Sequence, residues 1–169
     1  MNEHPDAVPV SAEPPVDDAP GGAPAVLLLV EDSPEDAEAM RRAFRRCGVP
    51  SSRVVHCHTV EEVLDYLERR GPHAERDDVQ LPRLMILDLN MPGLDGKDML
   101  RRLKGSEDWR AMPVVVFTSS ARADDVEACY RLGANSYVTK PQTWEELVEL
   151  AEKTKHYWFD TVLTPVIRR

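Results

Sequence analysis

Cysteine is scarce in this 169-residue chain, and a hydrophobic run long enough to cross a membrane is missing altogether. The three cysteines, Cys47, Cys57 and Cys129, form no C-x-x-C pair. Neither a disulfide framework nor a zinc ribbon is suggested, and the reading is of reduced, buried thiols. The longest apolar run, Ala23 to Val30, contains Pro24 and is far too short for a spanning helix. The segment Met1 to Ala23 is acidic and lacks the basic start and apolar stretch of a secretory signal. These absences lead us to expect a soluble, cytoplasmic protein with no membrane partner. Positive charge is also in deficit, with 21 Lys and Arg against 30 Asp and Glu and no local basic block. Such a surface repels phosphate backbones, so nucleic acid is not an expected partner either.

What is present fits one globular domain with a substantial core. Residues 1–24 hold six prolines, two glycines and five acids without a hydrophobic period, and read as a disordered Pro-rich tail. From Ala25 the pattern changes. Continuous apolar runs, Val26 to Val30, Leu84 to Leu87 and Val114 to Phe117, have the character of parallel strands covered on both faces. Arg53 to Cys57 and Ser136 to Thr139 supply two more strands. Between the runs lie helical signals. Ser33-Pro34 is an N-cap followed by proline at the first helical position, ahead of Ala37, Met40, Phe44 and Cys47. Thr59 to Glu62 and Thr143 to Glu146 both fit a capping box. Two further helices are expected near Gly96 to Leu103 and Asp124 to Leu132, the latter ended by Gly133. Five βα units with right-handed crossovers predict an α/β fold: a five-stranded parallel sheet, doubly wound, with helices on both faces. The one long connection, Gly71 to Arg83, reads as a polar loop.

In such a sheet ligands sit at the carboxyl ends of the strands. Glu31 and Asp32 follow the first strand directly and Asp88 follows the third, so the three carboxylates are expected to converge. Unpaired, they would repel by roughly 4 kcal/mol per pair at 4 Å and an effective dielectric near 20. An incomplete oxygen cage that leaves room for phosphate oxygens suits Mg²⁺ better than Ca²⁺. Thr118 and Lys140 end the fourth and fifth strands and add a hydroxyl and an ammonium. The set matches phosphoryl transfer to a carboxylate, with Asp88 attacking in line. Singly, each of these residues would be a cap, a turn former or a solvated charge. Their joint occurrence at four strand ends favours the chemical reading. His56-Cys57-His58 has the look of a metal cluster, but in a strand the two histidines share one face and Cys57 takes the other, so a structural role is expected.

From about Ala25 to Lys155 the chain resembles the receiver domain of bacterial two-component response regulators. The likeness rests on Glu31-Asp32, on Asp88 followed by Met91-Pro92 and Asp95-Gly96, on Thr118-Ser119, and on Tyr137 three residues before Lys140-Pro141. It implies the flavodoxin-like three-layer sandwich and a protein that is a phosphoacceptor rather than an enzyme. By that resemblance Asp88 would accept a phosphoryl group from a partner histidine kinase. Mg²⁺ would be held by Asp32, Asp88 and the backbone carbonyl of Asn90, with Glu31 acting mostly through water. Lys140 and Thr118 would contact the phosphoryl group, and Thr118 would let Tyr137 turn inward, repacking the face of the fourth helix, fifth strand and fifth helix. The Lys140-Pro141 bond would be cis. Asn90 and Ser120 are positions where the family tunes phosphoryl lifetime. Departures are Glu31 in place of the commoner Asp and the long segment before the third strand.

Residues 156–169 are apolar and aromatic, and no output domain is expected after them. If the fifth helix continues, Leu147, Ala151, Trp158 and Val162 line one side, and Trp144, Val148 and Phe159 another. That is more surface than one sheet face covers, so a partner interface is favoured over a tail folded back on its own domain. The tail and the long loop resemble the small response regulators of bacterial phytochrome kinases, which implies a phytochrome-type sensor kinase and a homodimer. Two alternatives stand beside the receiver reading. A haloacid-dehalogenase-type phosphatase also uses a strand-end Asp, Mg²⁺ and Lys, but needs an acid where Asn90 stands. A receiver-shaped scaffold that is never phosphorylated would have lost an acid, Thr118 or Lys140, and none is missing.

Overall fold

The computed structural model describes residues 27–75, 81–91 and 95–167. The Pro-rich tail, the middle of the Gly71 to Arg83 connection and Pro92 lie outside those residues. Ten regular elements alternate: β1 Leu27–Val30, α1 Pro34–Arg46, β2 Val54–Cys57, α2 Val60–Glu68, β3 Leu84–Leu87, α3 Gly96–Gly105, β4 Val114–Thr118, α4 Ala123–Arg131, β5 Ser136–Thr139 and α5 Trp144–Lys155. All strand pairs are parallel, in the order β2-β1-β3-β4-β5. The order reverses between β1 and β3, which puts the topological switch point at their carboxyl ends.

Strand residues alternate between two cores because successive side chains point to opposite faces. Leu28, Val30, Met85, Leu87, Val114 and Val116 meet Val63 and Leu67 of α2, Met99 and Leu103 of α3 and Cys129 of α4. On the other face Leu27, Leu29, Ile86, Val115 and Phe117 meet Met40 and Phe44 of α1 and Ala151 of α5. The three-layer arrangement expected from the apolar runs is therefore present, and β1, β3 and β4 are buried along their whole length. Burying each Leu or Val of this kind contributes about 1.5–3 kcal/mol relative to exposure.

Helix starts follow the caps. Ser33 Oγ accepts from the Asp36 amide at 3.2 Å, with Pro34 at the first helical position. Thr143 and Glu146 form the reciprocal capping box. At α2 the box is displaced by one residue: Thr59 Oγ1 accepts from the Glu62 amide, but Glu62 Oε2 accepts from the His58 amide at 2.7 Å instead of from Thr59. Gly133, at φ +97°, ends α4 as expected. Gly96 has a different reason to be glycine. Its amide donates to Leu89 O at 3.3 Å, and a Cβ there would stand 2.7 Å from Leu89 Cα, so α3 starts hard against the backbone that leaves β3.

The end of α5 departs from the expected continuous helix. After Lys155 the chain widens into a π-helical turn, His156–Thr161, and is extended from Val162. The wider turn rotates Trp158 and Phe159 onto one side, where both pack with Val148 and Leu150 against the α1–α5 core. The extended segment then crosses to the other core, where Ile167 packs and accepts a hydrogen bond from the Leu81 amide at 3.1 Å. Arg83 ties it down, with Nε donating to Thr164 Oγ1 at 3.0 Å and the guanidinium 5.6 Å from the Phe159 ring centroid. Much of the tail thus folds back on its own domain, while Tyr157, Leu163 and Val166 remain exposed. Among the described residues no helix is long and apolar enough to cross a membrane.

Candidate phosphoryl-transfer site

Register brings the predicted residues together. Val30 pairs with Leu87, and the Asp88 amide donates to Val30 O at 3.0 Å, so Glu31 and Asp88 leave adjacent strands side by side. Glu31, Asp32 and Asp88 each offer an oxygen, and these atoms lie within 4.8 Å of one another. Glu31 and Asp88 are buried, and Asp32 is half-buried. Hard carboxylate oxygens at this spacing fit a small divalent cation. Burial is the chief cause that pushes the Glu31 carboxyl above the ordinary range, and the ammonium of Lys140 works against it.

On the other side, the Lys140 amide donates to Thr118 O at 2.8 Å, which extends the β4–β5 ladder by one residue and sets the lysine beside the acids. Its Nζ lies 3.0 Å from Asp88 Oδ2, 2.8 Å from Glu31 Oε2 and 2.7 Å from Asp36 Oδ2. Burial pulls the Lys140 ammonium downward, yet the hydrogen bonds to Asp36, Glu31 and Asp88 outweigh it and hold the group above the ordinary lysine range. The expected cis bond at Lys140-Pro141 is corrected: the described residues contain no cis peptide. A trans bond, the form with the lower energy, already delivers the ammonium to Asp88.

Thr118 is fully buried, and its Oγ1 accepts from Asn90 Nδ2 at 3.0 Å. The same amide donates to Ser119 Oγ at 3.2 Å, and the Asn90 N–H donates to Asp88 Oδ1 at 3.1 Å. Asn90 is therefore committed as a donor and has no acidic proton to give, which counts against the phosphatase alternative. Tyr137, half-buried, donates its hydroxyl to Ser120 O at 2.9 Å. Ser120 Oγ donates to Asp125 Oδ2 at 2.6 Å, and Lys97 Nζ stands 2.6 Å from Asp125 Oδ1. This chain joins the start of α3 to α4 and to Tyr137.

His56 and His58 do share a face, with rings 4.1 Å apart, and Cys57 is buried on the other. Nε2 of His56 is 2.8 Å from Glu31 O, a structural contact as expected. Two participants escaped the sequence reading: Asp36, and the Lys97–Asp125 pair. The capping pattern places Asp36 in the first turn of α1, but only the folded chain puts it against a lysine 104 residues away.

A buried aspartate at the switch point of a doubly wound sheet, crowded by two acids and a lysine, is the arrangement of a receiver-type fold. The chain belongs to the family described as response regulator receiver domain, whose pattern matches residues 27–152. It is 39% identical over 135 residues to the probable methanogenesis regulatory protein FilR2 of Methanothrix harundinacea, covering 80% of this chain and 84% of that one. It is 32% identical over 142 residues to response regulator Rcp1 of Synechocystis, covering 84% and 94%. The Mn²⁺-bound structure of Rcp1 superposes with a TM-score of 0.74 over 85% of this chain and all of that one, at 31% identity. The phosphorylated cyanobacterial phytochrome response regulator RcpA gives a TM-score of 0.75 at 31% identity, over 85% and 99%. This chain is thus a two-component response regulator with phytochrome-associated relatives, and its acid cluster has the character of the family's metal site.

Proposed function

We propose that the protein accepts a phosphoryl group on Asp88 from a phosphohistidine of a sensor kinase and passes the change to its α4–β5–α5 face. The observation that carries this reading is the placement of Asp88: 4% exposed, 3.0 Å from Lys140 and within the acid cluster. In the step, an Asp88 carboxylate oxygen forms a bond to phosphorus. The phosphorus–nitrogen bond breaks, and its electron pair returns to the kinase imidazole, which takes a proton from solvent. Glu31, Asp32, Asp88 and the Asn90 carbonyl would hold Mg²⁺, which when bound supplies positive charge to the phosphoryl oxygens. Lys140 donates to a phosphoryl oxygen, and the Thr118 hydroxyl exchanges its Asn90 contact for another. Loss of the phosphoryl group to water ends the signal, which makes the protein a switch that resets itself rather than an enzyme acting on others.

The readout follows from the chain Thr118, Ser120, Tyr137. Movement of Thr118 displaces the Ser120 segment, releases the tyrosine hydroxyl and lets the ring repack between β5 and α4. A phytochrome-type kinase in the cytoplasm is the partner that the relatives favour. Tyr130 at the end of α4 and Tyr157, Leu163 and Val166 of the C-terminal arm are exposed, which supports a homodimer through this face and the arm.

The test is to incubate the full chain with Mg²⁺ and acetyl phosphate and look for an acid-stable, base-labile adduct. Labelling is expected in the native protein, and neither Asp88→Asn nor protein treated with a metal chelator should label. Adduct formation on the Asp88→Asn chain would overturn the assignment.

A further inference from the structure

Lys140 has three N–H donors, and one of its three acceptors has no role in the phosphoryl transfer proposed above. Asp36 Oδ2, at 2.7 Å, is the nearest of the three carboxylates. An ammonium with three protons can serve each acceptor with one. Two of those acceptors have other work: Asp88 would carry the phosphoryl group, and Glu31 belongs to the acid cluster. Asp36 lies outside that cluster, which contains Glu31, Asp32 and Asp88. Among the described residues, the lysine is the cation paired with its carboxylate.

We infer that Asp36 is a positioning residue, which tethers the Lys140 ammonium so that one N–H remains aimed at Asp88. The inference rests on the reading of Asp88 as phosphoacceptor. Asp36 suits the task because its backbone is fixed. Its amide is bonded to the Ser33 hydroxyl at 3.2 Å in the first turn of α1, and its side chain has only two torsions. Lysine, by contrast, carries its charge on a flexible four-carbon stem. Without a third acceptor the ammonium has only Glu31 and Asp88 to lean on, and those are the oxygens the cation requires. The Asp36 side chain is also 48% exposed, so its pair with Lys140 contributes little to folding. Its effect should therefore appear in chemistry and cation binding and not in melting temperature.

The test is a double-mutant cycle on the full chain, with Asp36→Ala, Asp36→Asn, Lys140→Ala and Asp36→Ala/Lys140→Ala. Three quantities are read: the initial rate of labelling by acetyl phosphate at saturating Mg²⁺, the Mg²⁺ affinity of the unphosphorylated protein by calorimetry, and the melting temperature. Asp36→Ala should slow labelling about tenfold, short of the roughly 100-fold that a misplacement of about 1 Å can cost, because Glu31 and Asp88 still hold the ammonium. It should weaken Mg²⁺ binding about threefold through the freed ammonium. Asp36→Asn keeps an acceptor oxygen and should lose less than about threefold in rate. In the Lys140→Ala background, Asp36→Ala should change neither quantity. An Asp36→Ala chain equal to the native one overturns the inference, as does an Asp36→Asn chain as slow as Asp36→Ala or an undiminished effect without Lys140. Should the native chain take no label at all, the phosphoacceptor reading fails, and the Mg²⁺ cycle by itself decides whether Asp36 controls the lysine.

Discussion

Two lysines at the carboxyl end of the sheet each meet an acid at hydrogen-bond distance, and they stand in very different surroundings. Lys140 is 16% exposed and shared among three carboxylates, two of them nearly sealed from water. Lys97 is 27% exposed and meets one carboxylate, Asp125, on the shoulder between α3 and α4. The Lys140 pocket is charge-dense because neighbouring strands deliver Glu31 and Asp88 side by side. The Lys97 shoulder is formed by two helix starts, where water competes for every partner. The lesson is that a similar ion pair does different work by location. Inside the pocket it sets an ammonium 3.0 Å from Asp88, the proposed acceptor; on the shoulder it braces the Asp125 carboxylate that also accepts from Ser120.

The comparison can be broken most directly by removing each lysine in turn. Lys140→Ala is expected to slow labelling by acetyl phosphate about 100-fold or more, the scale of losing one preorganised charge. Lys97→Ala should alter that rate by no more than about threefold, and upward, because a loosened Ser120 segment favours the repacked state of Tyr137. Equal losses from both substitutions would erase the distinction. Between these two effects lies Gly96→Ala, which forces a methyl group against Leu89 and the backbone of Asp88. Overpacking of this kind costs about 1–3 kcal/mol, measurable by urea unfolding. It should also slow labelling, since the displaced backbone is the one that carries Asp88, the proposed phosphoacceptor.

The smallest effect sharpens the comparison through pH. The hydrogen bond from Lys97, followed by that from Ser120, holds the Asp125 carboxyl below the ordinary carboxylate value of 3.8, and the bond to Asp125 raises Lys97 above 10.5. A depressed acid contributes stability that is present above its unfolded value and lost as pH falls through its folded one. A raised amine contributes below its unfolded value and loses that contribution as pH climbs through its folded one. The stability difference between the native chain and Asp125→Asn should therefore stay level from about pH 5 to 9 and shrink below 3.8 and above 10.5. Denaturant melts across that range check it. A difference that peaks within the level range would mean that another group controls the shoulder.

Much of this was legible from the chain alone. Runs such as Leu84 to Leu87 are apolar without alternation because both faces are covered, and the structure makes them β3, buried throughout. Ser33-Pro34 and the Thr143 box mark helix starts because orphan amides need local acceptors, so the signal lies within four residues. The displaced box at Glu62 shows the limit of such signals: His58 and Thr59 both offer an amide, and the difference is settled by the turn that links β2 to α2. The π-helical turn that rotates Trp158 and Phe159 onto one side was not legible, because it is set by what those rings pack against and not by their spacing.

The sequence by itself determined the order of elements, the doubly wound class and the convergence of Glu31, Asp32, Asp88, Thr118 and Lys140, since strand ends next to a switch point must meet. Tertiary structure alone decided what those groups touch. Asp36 reaches Lys140 across 104 residues, Lys97 finds Asp125 on another helix, and the Leu81 amide donates to Ile167 near the far end of the chain. None of these pairings has a local period or a cap to announce it. Each arises because packing of the apolar faces fixes where the helices lie, and polar side chains take the partners left within reach.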